Sequence, residues 1–219
     1  LAKMITNYIP DVAVLLQFAL ASAILAVTPG PDMALYVGRA ITHSRGVGLA
    51  CFAGAVTGIL VHTMLVALGL SALLLAAPTA FLALKIIGAG YLLWLAYQSI
   101  RHGSSFTPRS GKSGRAGSLW GHYLTGIGIN LLNPKIVIFF LTFLPQFVST
   151  SDPNGPGKLI FLGLFFLAVA IPIILPMIFM ANRFSSFLMT NPRVMRGLDW
   201  SLAGVFGAFA VKILSTQAR

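Results

Sequence analysis

Long apolar runs, separated by short stretches rich in arginine, glycine and proline, account for most of this chain. A helix needs about 20 apolar residues to cross a hydrocarbon core about 30 Å thick. On that measure the pattern predicts six spans, at about 11–43, 46–70, 79–100, 119–148, 159–181 and 198–214. The first and fourth are too long for one simple crossing. Each is interrupted at proline, the first by Thr28-Pro29-Gly30-Pro31-Asp32 and the fourth by Asn133-Pro134-Lys135. The first run continues through Met33 to Val37, so it reads as a retained helix rather than a cleavable leader.

The expected fold is an all-α membrane protein, a single transmembrane domain over 1–219. Repeat one occupies about 11–100, a polar basic linker 101–118, and repeat two about 119–216. Each repeat holds three spans, the first of them broken. An odd number of spans inserts the two repeats with opposite orientation, the arithmetic of an inverted-topology repeat. Sequence likeness between the halves is weak: only 90–97 and 204–211 align, and loosely.

Composition supports the membrane reading. Hydrophobic residues make up 57% of the 219 and charged residues 9%, where soluble domains carry about 25% charged residues. The net charge of +11 does not point to nucleic acid, because the basic residues lie between apolar runs rather than over a polar face. They set orientation instead. Arg39, Arg45, Arg101, Arg109, Lys112, Arg115, Arg183, Arg193 and Arg196 fall on one side; Lys3, Lys158, Lys212 and Arg219 fall on the other. The richer side is expected in the cytoplasm, with both termini outside. One cysteine, Cys51, leaves no intramolecular disulfide or CxxC redox motif and reads as a small buried residue.

Proline within a helix removes a backbone donor, and in lipid the freed groups must find partners or line a wet cavity. Both interruptions therefore mark real breaks. After the first, Pro31 takes a first helical position with Asp32 in the first turn; after the second, Asn133 caps and Pro134 follows. Each new helix start offers unpaired N–H groups, a seat for an anion. Starts entering from opposite faces would meet near the midplane. Asp32 and Lys135 stand at matching places in the two breaks, and intramembrane ionisable residues usually mark a pathway. Two readings stay open: a site for a zwitterion, with Lys135 toward a carboxylate and Asp32 toward an ammonium or a proton, or a direct ion pair locking the halves.

His62 is either a bonded core residue or a proton relay. Asn130 is a polar site residue or interhelical glue. Gly54 and Gly58 form a GxxxG pair, suited to a dimer contact or to close packing inside one chain. Lys85 and Lys212 read as snorkelling side chains. The histidines are scattered, with no HExxH, GxSxG or Walker pattern, so metal sites, hydrolases and ATP-driven pumps lack their parts. No cofactor is expected.

At these motifs the chain resembles the lysine exporter and homoserine/threonine resistance (LysE/RhtB) family of bacterial translocators. The resemblance is carried by Thr28 to Asp32 and by Asn133-Pro134-Lys135 running on to Phe139-Phe140 and Phe143-Leu144-Pro145-Gln146-Phe147. Weaker support comes from Gly46-Val47-Gly48-Leu49, from 84–97 and from Gly204 to Gly207. It implies a six-helix bacterial inner-membrane exporter of amino acids or close derivatives, driven by the proton gradient. The candidate substrate-binding or coupling residues, read from the breaks and from the polar positions in the spans, are Thr28, Pro29, Gly30, Pro31, Asp32, His62, Asn130, Asn133, Pro134 and Lys135. The rival readings are an inorganic-ion transporter or channel, a membrane-embedded enzyme and a structural scaffold. A channel needs rings of oxygen or charge; an enzyme needs a nucleophile beside a base; a scaffold leaves two oppositely charged breaks unexplained.

Overall fold

The structure, a computed structural model, describes residues 7–69, 78–102, 117–149 and 152–216. Most of those residues are helical, with no strand among them. A helix satisfies its backbone within one segment, which an apolar environment demands. In chain order the helices are α1 (Val12–Val27), α2 (Pro31–Thr42), α3 (Arg45–Met64), α4 (Pro78–His102), α5 (Leu119–Leu131), α6 (Pro134–Ile138), α7 (Gly155–Phe179), α8 (Ala181–Thr190) and α9 (Pro192–Thr216). A π-helical turn, Leu65–Gly69, prolongs α3; a π turn, Phe139–Phe143, and a 3-10 turn, Leu144–Phe147, prolong α6.

Both overlong apolar runs are broken where proline predicts. The α1–α2 pair bends by 50°, and α5 with the prolonged α6 by 54°. Pro31 and Pro134 open their helices at positions where a missing N–H costs nothing. Asn133 Oδ1 accepts from the Lys135 backbone N–H at 3.1 Å. Ser44 and Ser118 cap α3 and α5 in the same manner, accepting from Val47 at 3.3 Å and Gly121 at 3.1 Å.

Among the described residues, Arg45–Gly69, Gly155–Phe179 and Pro192–Val211 are long and apolar enough to cross a membrane, and each bent pair adds one more span if counted whole. One polar stretch departs from expectation. Residues 183–196 read as a basic loop; instead Arg183 lies in α8, while Arg193 and Arg196 lie in a last helix that starts at Pro192 rather than near 198. The reason is amphipathicity. Ala181, Ser185 and Leu188, spaced four and three apart, are buried while Arg183 faces out. Such a helix lacks the continuous apolar run that marks a span. The linker expected at 101–118 falls mostly outside the described residues, as do Lys3, Arg219 and the side chains of Lys85 and Lys212.

Packing pairs the elements crosswise. The most extensive contact is α3 on α5, followed by α4 on α9; α1 lies on α7. Glycine explains the first. A Cβ on Gly54 would collide with the Tyr123 carbonyl oxygen, one on Gly58 with the Asn130 side chain, and one on Gly126 with the Cys51 carbonyl oxygen. The GxxxG pair thus brings two helices of one chain into backbone contact, and this face is not left for a dimer. The Thr57 and Tyr123 hydroxyls share a hydrogen bond of 2.8 Å across the same seam. Beyond it, Phe18 of α1 packs on Phe139 at 5.8 Å, and Phe139 stacks on Phe143 at 4.7 Å. Phe143 meets Phe209 of α9 at 4.1 Å. These aromatic residues, Phe139 and Phe143 among them in the stretch after Lys135, hold the prolonged α6 in the core.

Gly54→Ala should lower thermal stability in detergent by about 2 kcal/mol or more, the scale of overpacking a close contact. Gly128→Ala, on α5 with open space around it, should leave the melting temperature within about 1–2 °C. Equal melting of the two variants would disprove the close-contact account.

Candidate functional site

The two breaks face each other. Between them lies a cavity of about 40 Å³, lined on its polar side by Thr28, Asp32, Asn133 and Lys135. Tyr36, one helical turn beyond Asp32, also lines it. The apolar side comes from Phe52, Ala55 and Ile59 of α3, Phe166 and Ile174 of α7, and from Met33 and Ile136 beside the breaks. In this conformation the space suits a few waters, each needing at least about 10–15 Å³ by this kind of measure. It is contracted relative to any amino acid.

Asp32 and Lys135 share the cavity without pairing directly. An ion pair forms elsewhere, between Lys158 and Asp152 at 2.6 Å where the preceding loop meets α7; its hydrogen bond holds the Asp152 carboxyl below the usual carboxylate range. Lys135 Nζ donates instead to the carbonyl oxygens of Thr28, at 2.7 Å, and Leu25, at 3.2 Å. Those carbonyls end α1, where the helix dipole is negative and a cation is favoured. Asp32 Oδ2 accepts from Asn130 Nδ2 at 2.6 Å. Asn130 sits in the last turn of α5 and is fully buried. Thus the start of α6 is tied to the end of α1, and the start of α2 to the end of α5. The second break supplies the donors and the first the acceptors.

Gly30 makes room for this. Its φ of −167° is ordinary extended backbone, so conformation does not call for glycine. A Cβ there would stand 3.1 Å from Lys135 Nζ, in the space the ammonium uses. Thr28 is buried and closes α1, its hydroxyl donating to the Ile24 carbonyl at 2.7 Å. Pro29 is buried at the break, whereas Pro31 and Pro134 are exposed helix starts. These three prolines act through the backbone and do not line the cavity.

Asn130 and His62 also lie outside its lining. Asn130 serves it by holding Asp32. His62, on α3 and 6% exposed, stacks on Phe140 with ring centroids 5.8 Å apart. It interacts with the Asn130 backbone and feels the Asp32 charge. Four buried polar atoms of this group have no hydrogen-bond partner among the described residues: Asp32 Oδ1, Asn130 Oδ1, Asn133 Nδ2 and His62 Nε2. Such atoms are costly unless something else binds them.

Tyr36 and the apolar wall were not singled out from the sequence. The i, i+4 spacing of Asp32 and Tyr36 places them on one helix face and was legible. The spacing of Phe52, Ala55 and Ile59 also marks one face, but in an apolar span nothing local separates a lipid face from a cavity face.

Comparison with known proteins supplies the identity. The family model of the LysE type translocators matches residues 23–217. The chain belongs to that family. It is therefore a translocator, and both breaks lie within the matched region. A LysE relative from Salmonella typhimurium, named a homoserine/homoserine lactone efflux protein, is 28% identical over 190 residues, covering 86% of this chain and 90% of the relative. A leucine efflux protein of Klebsiella pneumoniae is 25% identical over 209 residues, 93% of this chain and 95% of the relative. A Vibrio cholerae membrane protein is 28% identical over 152 residues, 68% and 72% of the two chains. No solved structure matches the chain.

The Asn130–Asp32 bond should appear in a double-mutant cycle of Asn130→Ala and Asp32→Asn, read by thermal unfolding in detergent. A coupling of about 1–3 kcal/mol is expected for a hydrogen bond to a charged acceptor. Coupling near zero would mean that Asn130 does not hold Asp32.

Proposed function

We propose that this LysE translocator exports amino acids or close derivatives across the bacterial inner membrane, coupled to protons, with the cavity between the breaks as its solute site. One observation carries the reading. An acid and a base from two interrupted helices line a single cavity, each held by uncharged groups rather than by the other. Such a pair stays available to the ammonium and carboxylate of a zwitterion. Relatives named for homoserine and leucine efflux agree with that chemistry.

The proposed architecture is six spans in two inverted three-span repeats: α1–α2, α3 and α4, then α5–α6, α7 and α9. The crosswise packing supports it. The second span of each repeat lies on the first half-helix of the other, α3 on α5 and α7 on α1, while α4 and α9 pair. A twofold relation between the repeats generates this set of contacts. The arginine-rich side is assigned to the cytoplasm.

Alternating access then moves one repeat against the other about the breaks. The solute carboxylate draws Lys135 from the α1 carbonyls, and its ammonium meets Asp32. A proton on Asp32 takes the place of that ammonium on the return, and His62, within the reach of the Asp32 charge, relays it. Thr28, Gly30 and Asn133 shape the polar wall; Pro29, Pro31 and Pro134 keep the breaks open.

In proteoliposomes, Asp32→Asn should abolish transport driven by a pH gradient, by at least about tenfold (1.4 kcal/mol), while insertion stays normal. Lys135→Ala should raise the solute KM by a similar factor. Full gradient-driven transport by Asp32→Asn would refute the proton role, and unchanged kinetics in Lys135→Ala would remove Lys135 from the site.

A further inference from the structure

We infer that the site selects amino acids whose side chain is uncharged and apolar, and that Ala55 sets how large that side chain can be. The inference rests on the cavity being the solute site. It adds the class of solute that the walls accept.

Of the cavity's lining residues, Asp32 and Lys135 alone carry charge at neutral pH. A zwitterion brings one ammonium and one carboxylate, and both find an opposite partner. Lysine or arginine brings a second cation, with no second acid in the lining. Glutamate brings a second anion, with no second base. A charge buried without a partner is strongly penalised. The same two residues that admit the backbone of an amino acid therefore reject a charged side chain.

The remaining wall names what is admitted. Phe52, Ala55 and Ile59 form one face of α3, at spacings of three and four. Phe166 and Ile174, eight apart, are the α7 residues that line the same cavity. These two helices supply five of the cavity's apolar lining residues, and none of the five offers a hydrogen bond. A side chain lying against these five residues finds no partner for a hydroxyl, whereas an aliphatic one gains contact. Ala55 is the small residue in the α3 stripe, 4% exposed between two larger neighbours. It stands where added carbon would take space from the solute side chain.

The test is counterflow into proteoliposomes of the full chain with labelled leucine, alanine, lysine and glutamate. Leucine and alanine should exchange, with lysine and glutamate at least tenfold weaker. Ala55→Val should lower the leucine-to-alanine ratio at least threefold. Ile174→Ala, which removes bulk from the lining, should raise it and carries the size test if Ala55→Val is not monodisperse. Lysine or glutamate exchanging as well as leucine would overturn the inference while leaving the exporter reading intact. A leucine-to-alanine ratio unmoved by the variants would overturn the role of this wall. A protein that exchanges no amino acid at all would bring down the exporter reading and this inference with it.

Discussion

A helix interrupted in an apolar environment leaves backbone groups with no water to bind, and the way this chain completes its two interruptions organises everything around them. The Leu25 and Thr28 carbonyls at the end of α1 receive the Lys135 ammonium. The carboxylate at the start of α2 receives the Asn130 amide. Both bonds cross from the second half of the chain to the first. They fix the relative position of segments about a hundred residues apart, at the point where each half is weakest. The close glycine contact of α3 on α5 brings Asn130 within reach, and the aromatic stack after Lys135 holds α6 against α1 and α9.

A consequence follows for charge. A direct bridge between Asp32 and Lys135 would satisfy both and leave little for a solute to gain. Here the acid is held by a neutral amide and the base by neutral carbonyls, and several polar atoms around them find no partner among the described residues. Neutral partners hold a charged group in place without cancelling its field. The arrangement is stable enough to assemble and still has interaction energy to offer. That is the physical basis for placing the proposed solute site at the breaks rather than elsewhere in the bundle.

Much of this was legible locally. Proline in an apolar run reports a break wherever it lies, because the missing N–H and the ring clash are properties of the residue itself. The helix starts at Pro31 and Pro134 and the cap at Asn133 follow from the same local chemistry. Less was legible where the signal is a weak amphipathic pattern. The helix Ala181–Thr190 has too few apolar residues to read as a span, and Arg183 within it, with Arg193 and Arg196 just beyond, made the stretch resemble a loop. Asn130 was ambiguous between site and glue. The structure makes it a support for Asp32, packed on Gly58.

The sequence by itself determined that the chain is helical and lipid-embedded in character, where its helices break, and which two ionisable residues stand at those breaks. Each of these depends on neighbours within one or two turns. Tertiary structure alone decided that Asp32 binds Asn130, that Lys135 caps the end of α1, and that Tyr36, Phe52 and Phe166 share a cavity with them. Those outcomes depend on which faces of distant helices meet. In a chain that is apolar on nearly every side, no periodicity distinguishes the face that meets a partner from the face that meets lipid.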